Sequence, residues 1–359
     1  MVSSGNLSVT GQRSSENFKP TLTSKGEIMH NWSKRKRLEA TLTGEQPDRL
    51  PVSIWRHWPG DDQDPHALAA ACLKWQQDYD WDFLKVSPAS SYSVVDWGVQ
   101  DRWVGHIEGT REYLHQPIHQ PVDWDEIHPL PPDKGMLGKQ LEALWLINRA
   151  MGEEVPVVAT VFSPLSQAKH LAGNEQMLAH LRANPLRFQQ ALEAITETTI
   201  NWIAAAKETG ISGIYYAVQH ARYPLMSREE FVQYGRNYDL RILASTSDLW
   251  LNVLHIHSTH IMFDLVADYP TPIVNWHDRE SGWQLSAGLE WIEGAASGGI
   301  DHWTLHQEGP EAALLEAQDA LQQTGGRRLV LGTGCVAMAT TPQRNLRAIR
   351  QFVDEQNFV

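Results

Sequence analysis

From Met29 onward, short apolar runs alternate with longer helical patterns, and that alternation restricts the chain to very few folds. Strand candidates are Pro51–Trp55, Asp82–Val86, Val155–Val161, Gly213–Val218, Trp250–Leu254, Pro272–Asn275, a weaker one at Gly299–Thr304, and Arg328–Leu331. Between them fall helix candidates at Pro65–Tyr79, Gly138–Met151, Arg187–Lys207, Arg228–Leu243, Gly288–Ala295, Glu311–Gln322 and Pro342–Asp354. Ser227 and Glu230 have the spacing of a capping box, and Thr341-Pro342 sets a cap residue before a first-turn proline. About eight strands alternating with helices over about 330 residues predict an α/β fold, the (β/α)8 TIM barrel. An open doubly wound sheet is the competing layout, but no Gly-x-Gly-x-x-Gly turn follows the first strand.

One stretch breaks the rhythm. Residues 97–131 hold Trp97-Gly98-Val99, Trp103–Ile107 and Glu112-Tyr113-Leu114, which read as a small β insertion after the second strand. Residues 29–359 otherwise read as a single domain. Residues 1–28 are rich in Ser, Thr, Asn, Gly and Lys with no apolar periodicity, and are expected to form a disordered tail.

Composition narrows the function. The formal charge of -13 disfavours nucleic acid as a partner, since phosphates call for a basic face, and equally disfavours an anionic membrane surface. No apolar run approaches the roughly 18 residues of a membrane span. Two cysteines, Cys72 and Cys335, with no signal-peptide pattern, point to a reducing cytoplasm. Cys72 sits in a helical apolar context and reads as core.

A barrel places its chemistry at the carboxyl ends of its strands. There the chain carries Trp55-Arg56-His57-Trp58, Lys85 and Ser87, His220 and Arg222, His255 and His257, Trp276-His277-Asp278, His302 and His306, and Cys335. His255 and His257 follow an apolar strand at i and i+2, so both side chains leave on one face. With Cys335 after the last strand, they form a candidate three-ligand metal site with one open position. Against this stand blander roles: hydrogen-bonded loop histidines and an inert buried thiol. His277 is open between a fourth ligand, a general acid and a wall residue. Arg56 and Arg222 suit a substrate carboxylate, or pair with Asp61 or Asp239. Trp55, Trp58 and Trp276 are candidates for an aromatic pocket wall, and His260 is left as a surface residue or a support for the ligands.

Both ends of the chain carry a resemblance. Arg37-Leu38-Glu39-Ala40 with Gly44–Val52, then Leu225–Phe231, Gly298-Gly299-Ile300-Asp301, Gly332–Cys335 and Thr341–Ala348, resemble the uroporphyrinogen decarboxylase superfamily. The resemblance implies a TIM barrel and two chemistries. Decarboxylases of the family use no cofactor; they bind propionates through an Arg-Gln-Ala-Gly-Arg segment and face the pyrroles with an aspartate. Here that segment is Arg56-His57-Trp58-Pro59-Gly60, with the second arginine missing, and the expected Phe-Ser-Asp reads Val86-Ser87-Pro88. The other branch, zinc-dependent methyltransferases that move a methyl group between a corrinoid protein and a thiol, carries His-x-Cys and a later Cys. This chain is similar to it at His255 and Cys335, with His257 in place of the middle cysteine.

The resemblance therefore implies a cytoplasmic enzyme transferring a methyl group at a His255, His257 and Cys335 zinc site. Another divalent transition metal is also admitted there. His277 or His220 would accept the proton, Arg56 and Arg222 would anchor substrate, and Trp55, Trp58 and Trp276 would line the pocket. A small-molecule substrate, a corrinoid protein and a homodimer are the partners it admits. The alternatives are a cofactor-free decarboxylase of a tetrapyrrole or related carboxylate, and a non-catalytic barrel that binds a small ligand or corrinoid.

Overall fold

The computed structural model describes residues 21–22, 28–29, 32–356 and 358. The expected tail lies outside the described residues apart from Thr21–Leu22 and Ile28, which belong to a short antiparallel pair. Seven parallel strands form one sheet: β1 (Leu84–Val86), β2 (Val157–Phe162), β3 (Gly213–Val218), β4 (Val253–Ile256), β5 (Ile273–Trp276), β6 (Ala295–Ile300) and β7 (Leu329–Thr333), each paired with the next in chain order. Pro51–Trp55, expected as a full first strand, and Arg56 after it make only single bridges, Val52 to Leu331 and Arg56 to Ala337. They nevertheless lie between the two ends of the sheet. Ser53 N–H donates to Leu331 O at 3.0 Å on one side, and Asp82 N–H donates to Val52 O at 2.8 Å on the other.

Burial on both faces explains why the strands read as nearly continuous apolar runs. Alternation then sorts them into two layers. Tyr215, Val253, Ile273 and Val330 pack inside the curled sheet with Trp55, Phe83 and Cys335, while Leu254, Ile256, Val274 and Trp276 face the surrounding helices.

Helix limits follow the caps closely. Pro65–Tyr79 starts at the Asp64 cap, and Arg228 follows the Ser227–Glu230 capping box, with both reciprocal hydrogen bonds present. The Arg228 helix does not run evenly, because Val232–Arg236 is a π-helical turn. Three expectations near the C-terminal third need correction. The weak strand placed at Gly299–Thr304 is Ala295–Ile300, and Asp301 then caps a helix, His302–Gln307, accepting from Trp303 N–H at 2.6 Å and Thr304 N–H at 3.1 Å. The helix placed at Gly288–Ala295 is Leu285–Leu289, so Ala295 already belongs to β6. Thr341-Pro342 is also shifted, since Pro342 itself is the cap of Gln343–Glu355.

Within residues 97–131, expected as an insertion, Gln100–Arg102 and Glu112–His115 pair as a two-stranded antiparallel hairpin. It leans over the carboxyl end of the sheet. Its Ile107 carbonyl accepts from Ala339 N–H at 2.8 Å, and Arg111 pairs with Asp62 at 3.1 Å and Asp101 at 2.6 Å.

The opposite, amino-terminal end is closed by buried charge. Arg37 donates to Asp48 and Asp82 at 2.7 Å each, Arg49 donates to Asp82 at 2.8 Å, and Val52 N–H reaches the same carboxylate at 2.7 Å. Burial would raise the Asp82 carboxyl pKa, but the two guanidinium groups overcome it and hold the group well below the usual carboxylate range. No helix among the described residues is long and apolar enough to cross a membrane.

Candidate metal centre at the sheet mouth

The period of two along β4 and β5 sets which side chains meet. His255 pairs in register with Asn275, and both point inward, whereas Ile256 and Trp276 point outward. His257 follows β4 and its N–H donates to Val218 O at 3.0 Å, which keeps the chain on course for one more inward residue. Cys335 arrives two residues after β7. Its approach depends on Gly334, where a Cβ would come within 2.8 Å of the Trp276 carbonyl and 2.9 Å of His277 Cα.

The outcome is a tight cluster. One ligand atom from each of His255, His257, His277 and Cys335 lies within 4.8 Å of the others. Cys335 Sγ stands 3.9 Å from His255 Nε2 and 3.8 Å from His257 Nδ1. Tetrahedral zinc with its usual bond lengths sets its ligand atoms about 3.4–3.8 Å apart, so the spacing suits such an ion with little movement. A second observation points the same way: His277 Nε2 is buried with no hydrogen-bond partner. A buried polar atom left unpaired is costly, and a molecule bound at the cluster would satisfy it.

The ring orientations are held from behind. Asn275 donates through Nδ2 to Ser297 O at 2.8 Å and Thr333 O at 3.1 Å, which fixes its Oδ1 toward His255 Nδ1 at 2.6 Å. Tyr215 OH donates to the same oxygen at 3.0 Å. Oδ1 can only accept, so His255 carries its proton on Nδ1 and turns the Nε2 lone pair to the cluster. Glu280 does the same for His277, accepting from Nδ1 at 2.6 Å.

The electrostatics are those of a thiolate nest. Burial would raise the Cys335 thiol pKa, but His277 and the hydrogen bonds from the surrounding imidazoles lower it well below the ordinary thiol range. Burial would lower His277, but Cys335 and Glu280 raise it to about 10. His255 is pushed down, chiefly by burial.

Other expected site residues are placed less favourably. His220 is buried beside the mouth, bonded to Asn174 at 3.1 Å; burial and Lys169 push it down to about 3, which makes it a weak proton acceptor. Arg56 donates to Ala339 O at 2.6 Å and lies 4.5 Å from the Trp58 ring, and Arg222 donates to Thr259 O at 3.1 Å. Neither pairs with Asp239, which instead accepts from Tyr216 and Tyr269. Trp55 lies inside the sheet, edge-on to Tyr215 at 5.1 Å. Trp276 is not a wall residue. The strand runs one residue further than expected, and alternation turns its fully buried ring outward onto Phe263. His260 lies on the loop surface, in contact with Thr259.

Asn275, Glu280, His302 and Lys85 gather here without having been assigned a role. His302 donates through Nδ1 to Val336 O at 3.1 Å, and its ring lies 5.7 Å from His277. His277, Glu280, His302, Asp278 and Cys335 line a small cavity. Glu280, three residues after His277, was the one with a readable signal.

Comparison with known proteins agrees with this architecture. The uroporphyrinogen decarboxylase (URO-D) family matches residues 103–356, and the chain belongs to that family. Its relatives include the methylcobamide:CoM methyltransferase MtbA of Methanosarcina acetivorans, 20% identical over 336 residues, covering 89% of this chain and 97% of the relative. MtbA of Methanosarcina mazei is 26% identical over 249 residues, covering 68% and 71%. A solved methyltransferase from Methanosarcina mazei superposes with a TM-score of 0.80 at 22% identity, covering 90% of this chain and 99% of that one. Within the family, then, the resemblance runs to the methyltransferase branch.

Proposed function

We propose that this protein is a cytoplasmic, metal-dependent methyltransferase that passes a methyl group from a corrinoid on a partner protein to a small-molecule heteroatom. The observation that carries the reading is the convergence of His255, His257, His277 and Cys335, with His277 Nε2 left unpaired. Residues 51–56 are read as the eighth stave of a (β/α)8 barrel, which makes the cluster a barrel-mouth site.

His255, His257 and Cys335 would hold Zn²⁺ or a similar ion, leaving one position for substrate. When bound, such an ion favours the deprotonated, reactive form of the substrate heteroatom. Around it, Asn275 fixes the tautomer of His255, and Glu280 does so for His277. His277 accepts the proton released at the heteroatom, and Glu280 stabilises the charge it gains. His277 is the counter-charge to the Cys335 thiolate; with a divalent cation bound beside the sulfur, His277 would be free for proton transfer. One thiolate and two neutral imidazoles would leave zinc near +1, against about 0 with two thiolates, so this ligand set would make the ion the stronger Lewis acid. Trp58, Arg56 and Arg222 are left to shape the entrance, with Trp55 buried deeper inside the sheet. A family decarboxylase has less support, because Val86-Ser87-Pro88 offers no carboxylate.

Metal analysis of purified protein tests the reading. One equivalent of bound metal is expected in the wild type and loss of it in His255→Ala and Cys335→Ala. Absence of metal in the wild type, or unchanged occupancy in both variants, would sink it.

A further inference from the structure

His277 belongs to two groups of donors. Besides its place beside Cys335, one ligand atom from each of His277, Glu280 and His302 lies within 4.8 Å of the others. Two strand ends bring these three together. Glu280 sits three residues after His277 in the turn that leaves β5, and its carboxylate accepts from His277 Nδ1 at 2.6 Å. His302 opens the short helix that Asp301 caps after β6. Its Nδ1 meets the Val336 carbonyl at 3.1 Å. That oxygen can only accept, so the proton stays on Nδ1 and Nε2 keeps its lone pair. An imidazole held in this way from behind is prepared for coordination through its other nitrogen.

The three side chains border one small cavity, with Cys335 on its wall, and its volume of about 10 Å³ admits a single water or a single ion. The lining favours a cation. Asp278, Glu280 and Asp301 line it against one positive group, Arg279, whose guanidinium is already engaged by Asp319 and by the Gly299 and Glu316 carbonyls. A water would bring no charge to this acidic wall. We propose that His277, Glu280 and His302 hold a second divalent transition-metal ion, beside the one assigned to His255, His257 and Cys335. Two imidazoles and one carboxylate form a harder donor set than one with a thiolate, and suit a first-row ion such as Fe²⁺, Mn²⁺, Co²⁺ or Zn²⁺. Binding of this ion does not depend on the methyltransferase reading. Its consequence rests on that reading: an ion here takes up His277 and Glu280, so loading the second site stops the proton transfer assigned to them.

Titration of metal-free, full-length protein with Co²⁺ separates the two ions, because only an ion on Cys335 gives a thiolate-to-cobalt charge-transfer band. Equilibrium dialysis should count two equivalents in the wild type, one with that band and one without it. Glu280→Gln and His302→Ala should each weaken the second equivalent by more than the roughly 10–100-fold that loss of a supporting residue costs, while the band stays. Cys335→Ala should lose the band and keep the other equivalent. A single wild-type equivalent carrying the band overturns the proposal and leaves the Cys335 site standing. A single equivalent without the band, lost in Glu280→Gln, upholds the proposed site and rejects the Cys335 one. Two equivalents unaffected by Glu280→Gln and His302→Ala overturn the proposal, and absence of cobalt binding overturns both sites. If His302→Ala fails to fold, Glu280→Gln decides alone, since the Glu280 side chain is about one-third exposed.

Discussion

The two ends of the sheet solve the problem of buried polar groups in opposite ways. At the amino-terminal end, Arg37, Asp48, Arg49 and Asp82 form a closed set in which Asp82 accepts from two guanidiniums and from Val52 N–H. At the carboxyl-terminal end, His277 Nε2 and His220 Nδ1 are buried and unpaired, and Lys85 lacks a carboxylate. Satisfied buried charge serves the fold; unsatisfied buried polarity is tolerated where a ligand can complete it.

The sharpest way to break this contrast is at Asp82. Asp82→Ala leaves two buried guanidiniums without their shared partner, and chemical denaturation should show a loss of about 3–5 kcal/mol. A loss below about 1 kcal/mol would mean that the charged end is not a structural clamp. The same group sets an acid limit. Because its folded pKa is depressed, its contribution is fully present above the unfolded value of about 3.9 and is lost as pH falls toward the folded value. Stability measured from pH 7 downward should therefore fall below about pH 4 in the wild type, with that component missing in Asp82→Asn.

Next in size is Asn275. Asn275→Leu keeps the volume but removes the acceptor that fixes His255, and metal affinity by competitive chelator titration should weaken about 10–100-fold. Unchanged affinity would show that the amide does not orient the ligand. The smallest effect is expected at the mouth itself. His257→Ala in metal-free protein should change unfolding free energy by no more than about 1 kcal/mol, since its ring is half-buried and its contact with Cys335 Sγ is long at 3.8 Å. A cost comparable with that at Asp82 would erase the distinction between the ends.

The fold was legible wherever local pattern and tertiary demand coincide. Gly213–Val218 and Pro65–Tyr79 have the limits expected for them, because an apolar run buried on both faces and a proline after an aspartate cap are strong local signals. Ala295–Ile300 was displaced in the sequence reading because Ala-Ala-Ser-Gly-Gly-Ile has little strand preference of its own; pairing with β5 and β7 makes it a strand. Site legibility followed similar lines. His255, His257, His277 and Cys335 stand out by residue type at strand ends, whereas Asn275 lies within a strand and gains its role only from neighbours far away in the chain. Trp276 shows how much depends on parity, since one additional strand residue turned a wall candidate into a core one.

The amide of Asn275 has one more consequence. Its two donors span β6 and β7, so its orientation is locked only while those strands keep their register with β5. If either slipped by one residue, the amide would be free to flip, presenting NH2 where oxygen now stands. His255 would then have to take up the other tautomer, and its Nε2 would carry hydrogen instead of a lone pair. A misaligned β6 would thus disarm the mouth without moving any of the proposed ligands, whereas a slip of β7 would carry Cys335 away with it; retention of the proposed metal would then report correct strand alignment.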